Sequence, residues 1–182
     1  MRRIFVCAML AGALSCSDPF GPGIRSSVTF TYTGPVAGSF SASGGAPGFA
    51  APGTSWVVGY VEEGALRMAG FSPRSGGLVG MAMLHVGRTT PGAESIDPEC
   101  NPYDGAACSE MMLSLGFNQN GDSDDPFCYL TSGTIVLTQI SGSRAKGTFS
   151  GTGHCSTWTD EPSPAFSVSN GAFDVALSAP RG

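Results

Sequence analysis

Charge is scarce in this chain. Asp, Glu, Lys and Arg make up 13% of its 182 residues, about half the share of an ordinary globular domain, so its surface must meet water largely through Ser, Thr, Asn and Gly. Cations are the scarcer sign, with nine Lys and Arg against fourteen Asp and Glu. Between Arg88 and Arg144 there are none, while Glu94, Asp97, Glu99, Asp104, Glu110, Asp122, Asp124 and Asp125 all fall in that interval. This balance excludes nucleic acid as a partner, because phosphate binding needs clustered Lys and Arg. It disfavours a bare anionic membrane surface for the same reason. Helical periodicity is also missing past the first residues, since no later stretch keeps apolar side chains at i, i+3, i+4 and i+7 for three turns. No serine has glycine two places before and two places after it, which removes the nucleophile-elbow hydrolases. No close C-x₂-C pair occurs, which argues against a structural zinc site built from the cysteines and His154.

Glycine and proline are plentiful instead, at 27 and 13 residues, just under the band of about 25–30% at which low-complexity disorder becomes the default. The first fifteen residues have the layout of a secretory signal peptide. Arg2 and Arg3 are followed by an apolar run from Ile4 to Leu14 and then by small residues. That run is too short to cross about 30 Å of hydrocarbon as a helix. Ala13-Leu14-Ser15-Cys16 resembles the lipobox of bacterial lipoproteins, with Ala13 where Leu is usual. The resemblance implies that Cys16 is lipidated, becomes the new N-terminus and anchors the protein to a membrane in the cell envelope. Plain cleavage after Ala13 or Ser15 would release it by secretion. Residues 16–26 read as a Pro/Gly-rich tether, 27–178 as one β domain and 179–182 as a tail. Loss of Arg2 and Arg3 with the leader would take the formal charge from −5 to −7.

Cysteine usage agrees with export. Cys7 leaves with the leader, and Cys100, Cys108, Cys128 and Cys155 remain, an even number that predicts two disulfides with three possible connectivities. Pairing the nearest two, Cys100 with Cys108, would leave Cys128 with Cys155 to tie the start of one strand to the end of another.

The rest of the chain reads as strands. Ser27 to Thr33 alternates strictly, with Val28, Phe30 and Tyr32 on one side and hydroxyls on the other, the pattern of a half-buried antiparallel strand. Similar runs fall at 36–42, 55–61, 65–71, 78–86, 111–117, 134–140, 145–152, 165–169 and 172–177, most of them bounded by Gly, Pro, Asn or Ser. The expected fold is therefore all-β: an antiparallel sandwich or barrel of about ten short strands, with no substantial helix. Hairpins are expected at Glu62-Glu63-Gly64, at Ser141-Gly142-Ser143 and at Ser169-Asn170-Gly171. Two longer links, 44–54 and 87–110, interrupt the meander. Trp56 and Tyr60 are expected in the core, the alternative being a ligand platform on the outside formed with Tyr103 and Trp158; His85 is expected as a packed or edge residue on the strand face it shares with Met81 and Met83, and His154 as a loop residue beside a disulfide.

Three C-terminal segments, Ser132-Gly133-Thr134-Ile135-Val136-Leu137-Thr138, Lys146-Gly147-Thr148-Phe149-Ser150 and Val168-Ser169-Asn170-Gly171-Ala172-Phe173-Asp174-Val175, resemble a pattern of β-rich bacterial secreted lipoproteins of unknown function. In those proteins an SGT-hydrophobic-T strand, a GTFS strand and an NGxF strand close the domain. The resemblance implies an exported sandwich or barrel and carries no catalytic residue. The most suggestive polar string is elsewhere. Asn118, Asn120, Asp122 and Asp124 alternate and could turn oxygens to one side for a structural calcium, a cation that takes six to eight oxygen ligands. Their spacing is not that of an EF-hand. The expectation is thus a lipid-anchored surface module that binds or supports, with an unidentified protein or glycan partner. The alternatives are a carbohydrate-active or other hydrolase using carboxylates of the acidic 94–125 region, and a carrier of a small apolar ligand.

Overall fold

The computed structural model describes residues 25–35, 37–45, 54–73, 79–100, 108–117, 127–156 and 164–178, and these form an all-β fold. Ten strands follow one another: β1 Ser26–Thr33, β2 Gly38–Gly44, β3 Trp56–Glu62, β4 Ala65–Pro73, β5 Val79–Val86, β6 Gly92–Ser95, β7 Glu110–Phe117, β8 Phe127–Ile140, β9 Arg144–Ser156 and β10 Ala165–Ser178. Cys16 and the string Asn118, Asn120, Asp122 and Asp124 lie outside the described residues, as do Tyr103 and Trp158.

The strands form one sheet that returns on itself. Antiparallel pairings run from β3 through β4, β5, β7 and β8 to β9 and then β10, and a short parallel contact, Leu177 to Gly59 and Ser178 to Tyr60, joins β10 back to β3. The β1–β2 hairpin continues from the other part of the same β10 edge, and β6 pairs with the second half of β8. The inner side is a single apolar cluster that includes Val28, Phe30, Phe40, Leu66, Leu84, Leu113, Leu130, Ile135, Phe149 and Phe173. Phe30 stacks on Phe40 at 4.9 Å between ring centroids and meets Phe149 edge-on at 5.6 Å, the offset geometries that aromatic rings prefer.

Turn chemistry explains the tight connections. Glu63 and Gly64 both take positive φ, 52° and 82°, which is the two-residue turn whose twist matches antiparallel strands. At Ser141-Gly142-Ser143 the Ser141 amide donates to the Arg144 carbonyl at 2.8 Å. The third expected hairpin is overturned. β10 runs unbroken through Ser169-Asn170-Gly171, with the register slipping there against both β1 and β9. Asn170, at φ 53°, supplies the extra residue of a β-bulge rather than a reversal. Two strand readings thus merge into one of 14 residues. The ten strands are completed by β6, which lies inside the expected 87–110 link, and β8 begins at Phe127 rather than at 134.

Of the three possible disulfide connectivities, the structure has Cys100–Cys108 and Cys128–Cys155. Cys128 and Cys155 are direct partners across the β8–β9 ladder and both are fully buried. Such bridges are compatible with an extracytoplasmic protein.

The three segments with the lipoprotein resemblance fall on β8, β9 and β10, and their glycines have a packing reason. Gly147 stands opposite Phe173, and Gly171 opposite Phe149. A Cβ on either glycine would collide with the facing ring, so each Gly opens the space that the partner strand's Phe fills.

Candidate functional site

The outer side of the sheet has two contrasting halves. On β1, β2, β9, β10 and the second half of β8 it is a hydroxyl surface. Thr31 bonds Ser169 at 2.8 Å, Thr33 bonds Ser167 at 2.6 Å and Ser132 bonds Thr152 at 2.9 Å. Asp174 lies among them, with Lys146 Nζ at 3.1 Å and Arg144 Nε hydrogen-bonded to its other oxygen. These cations hold the Asp174 carboxyl below the usual carboxylate range, the Arg144 bond being the largest cause. This half answers the low charge of the chain, meeting water through side chains that also bond to one another across strands.

The half built from β3, β4, β5, β7 and the start of β8 is different. Two cross-strand rows cross it: Trp56, Phe71, Met81, Ser114 and Phe127, and beside it Val58, Ala69, Met83, Met112 and Tyr129. Apart from Ser114, which is buried, these side chains are half-buried. None of them belongs to the core cluster. Trp56 lies on Phe71 at 3.7 Å between centroids, with 20° between the ring planes. A third row, Tyr60, Arg67, His85 and Glu110, borders the apolar pair. Arg67 is tied to the hairpin tip through Glu62 at 2.9 Å and Glu63 at 3.7 Å.

This arrangement corrects one expectation. Trp56 and Tyr60 point away from the core, because the inward positions of the same strands are occupied by Val57, Gly59 and Val61. Close approach of other elements requires the small residues there. A Cβ on Gly59 would strike Val175, and one on Gly70 would press on Ala42 and Phe40. His85 is packed, at 5% exposure, in the row described. His154 is exposed and lies within β9, beside the buried Cys155, not in a loop.

A shallow recess of about 120 Å³ opens at the polar row, lined by Tyr60, Arg67, Ala69, Met83, His85 and Glu110 among others. Burial pushes the Glu110 carboxyl above its ordinary range. As pH rises the unfolded chain therefore ionises first, so this group favours folding fully below the unfolded Glu pKa of about 4.3 and loses that contribution as pH passes through the higher folded value. Glu110→Gln is accordingly expected to raise the melting temperature at neutral pH and to leave it unchanged in acid. Equal melting temperatures for the two proteins at neutral pH would contradict this account of Glu110.

The acids of the 94–125 region that are described do not gather into one site. Glu94 is on β6 with Arg88 at 4.0 Å, Asp97 accepts the Glu99 amide in the following turn at 2.9 Å, and Glu110 starts β7. Among the described residues no three of His, Cys, Asp and Glu lie together as metal ligands. Two further recesses of about 320 Å³ occur, one among hydroxyl side chains and His154, the other at the open end formed by Val61, Ile140 and Leu177. The apolar half presents polarisable thioethers and aromatic rings on paired strands, with one charged border. No protein-family model, no curated protein and no solved structure matches this chain.

Proposed function

We propose that this protein is an exported β module, tethered to a membrane of the cell envelope by lipid on Cys16, that works by binding a partner protein. The observation that carries the reading is the pair of apolar cross-strand rows on the outer side of β3, β4, β5, β7 and β8. Contiguous apolar side chains on an otherwise hydroxyl-covered surface mark a contact area. Methionine suits such an area because its unbranched thioether chain adapts to the shape of a partner. A glycan would call for a ring of polar groups about each aromatic, whereas these rows bring Met, Val and Ala next to Trp56 and Phe71. The two disulfides and the acidic balance fit a protein that works outside the cytoplasm, and the lipobox-like Ala13-Leu14-Ser15-Cys16 supplies the tether.

Two measurements test the two parts of this reading. Intact mass of the protein from its native envelope is expected to include acyl groups on Cys16 and to rise by about four hydrogens on reduction. A mature protein starting after Ala13 without acyl mass would sink the anchor. A photo-crosslinking side chain at Val58 or Met81 is expected to yield a discrete protein adduct in the native envelope, and the same group at Thr148 on the hydroxyl half none. Equal labelling at both faces, or none at either, would sink the binding face.

A further inference from the structure

Five methionines follow the leader region, and three of them, Met81, Met83 and Met112, share the outer face just described. Met81, Met83 and His85 alternate along β5, so all three project from the same side of the sheet. Met112 is the direct cross-strand partner of Met83, and Glu110 that of His85. Side chains directly opposite in an antiparallel pair have Cβ atoms about 4.5–5.5 Å apart, and diagonal neighbours lie about 7–8 Å apart. A methionine side chain with its three rotatable bonds spans those gaps.

We infer that the Met83–Met112 pair and His85 form a binding site for a soft monovalent cation, Cu(I) or Ag(I). The donor set is the first reason. Thioether sulfur and imidazole nitrogen select soft, d¹⁰ ions, whereas Ca²⁺ takes six to eight oxygen ligands and Mg²⁺ an octahedral set, more than Tyr60 and Glu110 of the bordering row offer. The redox setting is the second. All four cysteines of the described domain are taken up in disulfides, so thioethers are the sulfur donors left to it, and unlike thiols they do not pair oxidatively. Local charge is the third reason. Arg67, the cross-strand neighbour of His85 on the β4 side, is balanced by Glu62 at 2.9 Å and Glu63 at 3.7 Å, with Glu110 facing His85 from β7. The recess lined in part by Met83 and His85 supplies the room, about 120 Å³. Binding here is ligation alone, with no change in the oxidation state of the metal or the protein. The inference does not rest on the partner-binding reading, although Met83 and Met112 also lie in the apolar rows on which that reading stands.

The test uses the oxidised mature protein with both disulfides intact. Anaerobic titration against Cu(I) held by bicinchoninate is expected to transfer one equivalent to the protein. Addition of Ag(I) to protein with isotope-labelled methionine methyls is expected to shift the Met83 and Met112 signals while leaving that of Met111, which is buried in the core, unmoved. Met83→Leu with Met112→Leu is expected to lower Cu(I) affinity by more than about 100-fold, since loss of outer-sphere support alone typically costs 10- to 100-fold. Leucine preserves volume, so the fold is retained. His154→Gln, at an exposed position, is expected to bind as the parent does. Complete retention of copper by bicinchoninate, undiminished affinity in the double-leucine variant, methyl shifts that leave out Met83 and Met112, or loss of binding in His154→Gln would each overturn the site.

Discussion

Cys128→Ala together with Cys155→Ala is expected to lower stability by about 3.5 kcal/mol, which is the loop-closure value for the 27-residue separation of this bridge. In a domain of this size that corresponds to a fall in melting temperature of roughly 7–14 °C. Both cysteines are fully buried, so the alanines also leave space that the core fills incompletely, which moves the loss toward the larger figure. Removing Cys100–Cys108 instead, across a separation of 8 residues, is expected to cost about 2.5 kcal/mol on the same reasoning. Thermal unfolding of the two double variants in non-reducing buffer decides the ranking. A larger loss from the Cys100–Cys108 pair would mean that the ladder between β8 and β9 is held by its backbone bonds and packing, with the buried bridge adding little.

The second large effect lies on the same ladder. A Cβ on Gly153 would fall within the van der Waals shell of the Tyr129 carbonyl oxygen and against the Leu130 backbone. Backbone atoms on a paired strand have no rotamer by which to withdraw, so relief requires the β8 and β9 strands to part just where Leu130 pairs with Gly153 and Cys128 with Cys155. Gly153→Ala is therefore expected to cost on the order of 3 kcal/mol, the upper end of the overpacking range. Gly142→Ala, in the β8–β9 turn with open space around its Cα, is expected to change stability by less than about 0.5 kcal/mol. Chemical denaturation of the pair separates the two cases. Similar midpoints for both variants would contradict the close approach at Gly153.

Much of the fold could be read from residue order. Ser27 to Thr33 alternates because one side of β1 meets the Phe40 and Phe149 rings and the other bears hydroxyls, and that contrast is visible in the letters. Glu63-Gly64 was legible as a turn because only a residue tolerant of positive φ serves there at low cost. Asn170-Gly171 carries the same signal and yet sits in mid-strand. A preference for the left-handed region is shared by reversals and bulges, and only the neighbouring strands β1 and β9, pairing on either side, determine which one forms. The start of β8 escaped notice for a related reason. Phe127 and Tyr129 are apolar on the outside while Cys128 and Leu130 are apolar on the inside, so the period of two has no contrast to show.

The candidate site was hidden by that same loss of contrast. β3, β4 and β5 carry apolar side chains on both faces, and size alone places Trp56 and Tyr60 inside. The phase of the small residues was the available clue, since Gly59, Gly70, Gly80 and Ala82 all share the face opposite Trp56, Phe71 and Met81. Met81, Met83 and His85 could be assigned to a common side of one strand from their spacing. Placing Met112 opposite Met83 needed the β5–β7 register, and no local pattern encodes the pairing of strands separated by a long link.

By itself, then, the order of residues determined the all-β character of the described chain, the half-buried pattern of its hydroxyl-bearing strands and the tight turns at Glu63-Gly64 and Ser141-Gly142-Ser143, because these are set by steric limits within a few residues. Which face of β3, β4 and β5 is the interior was decided by tertiary structure alone. Val175, Ala42 and Phe40 approach so near to Gly59 and Gly70 that there is no room for rings on that side, and the bulky aromatic and thioether side chains are left outward, where they form the surface on which the functional reading rests.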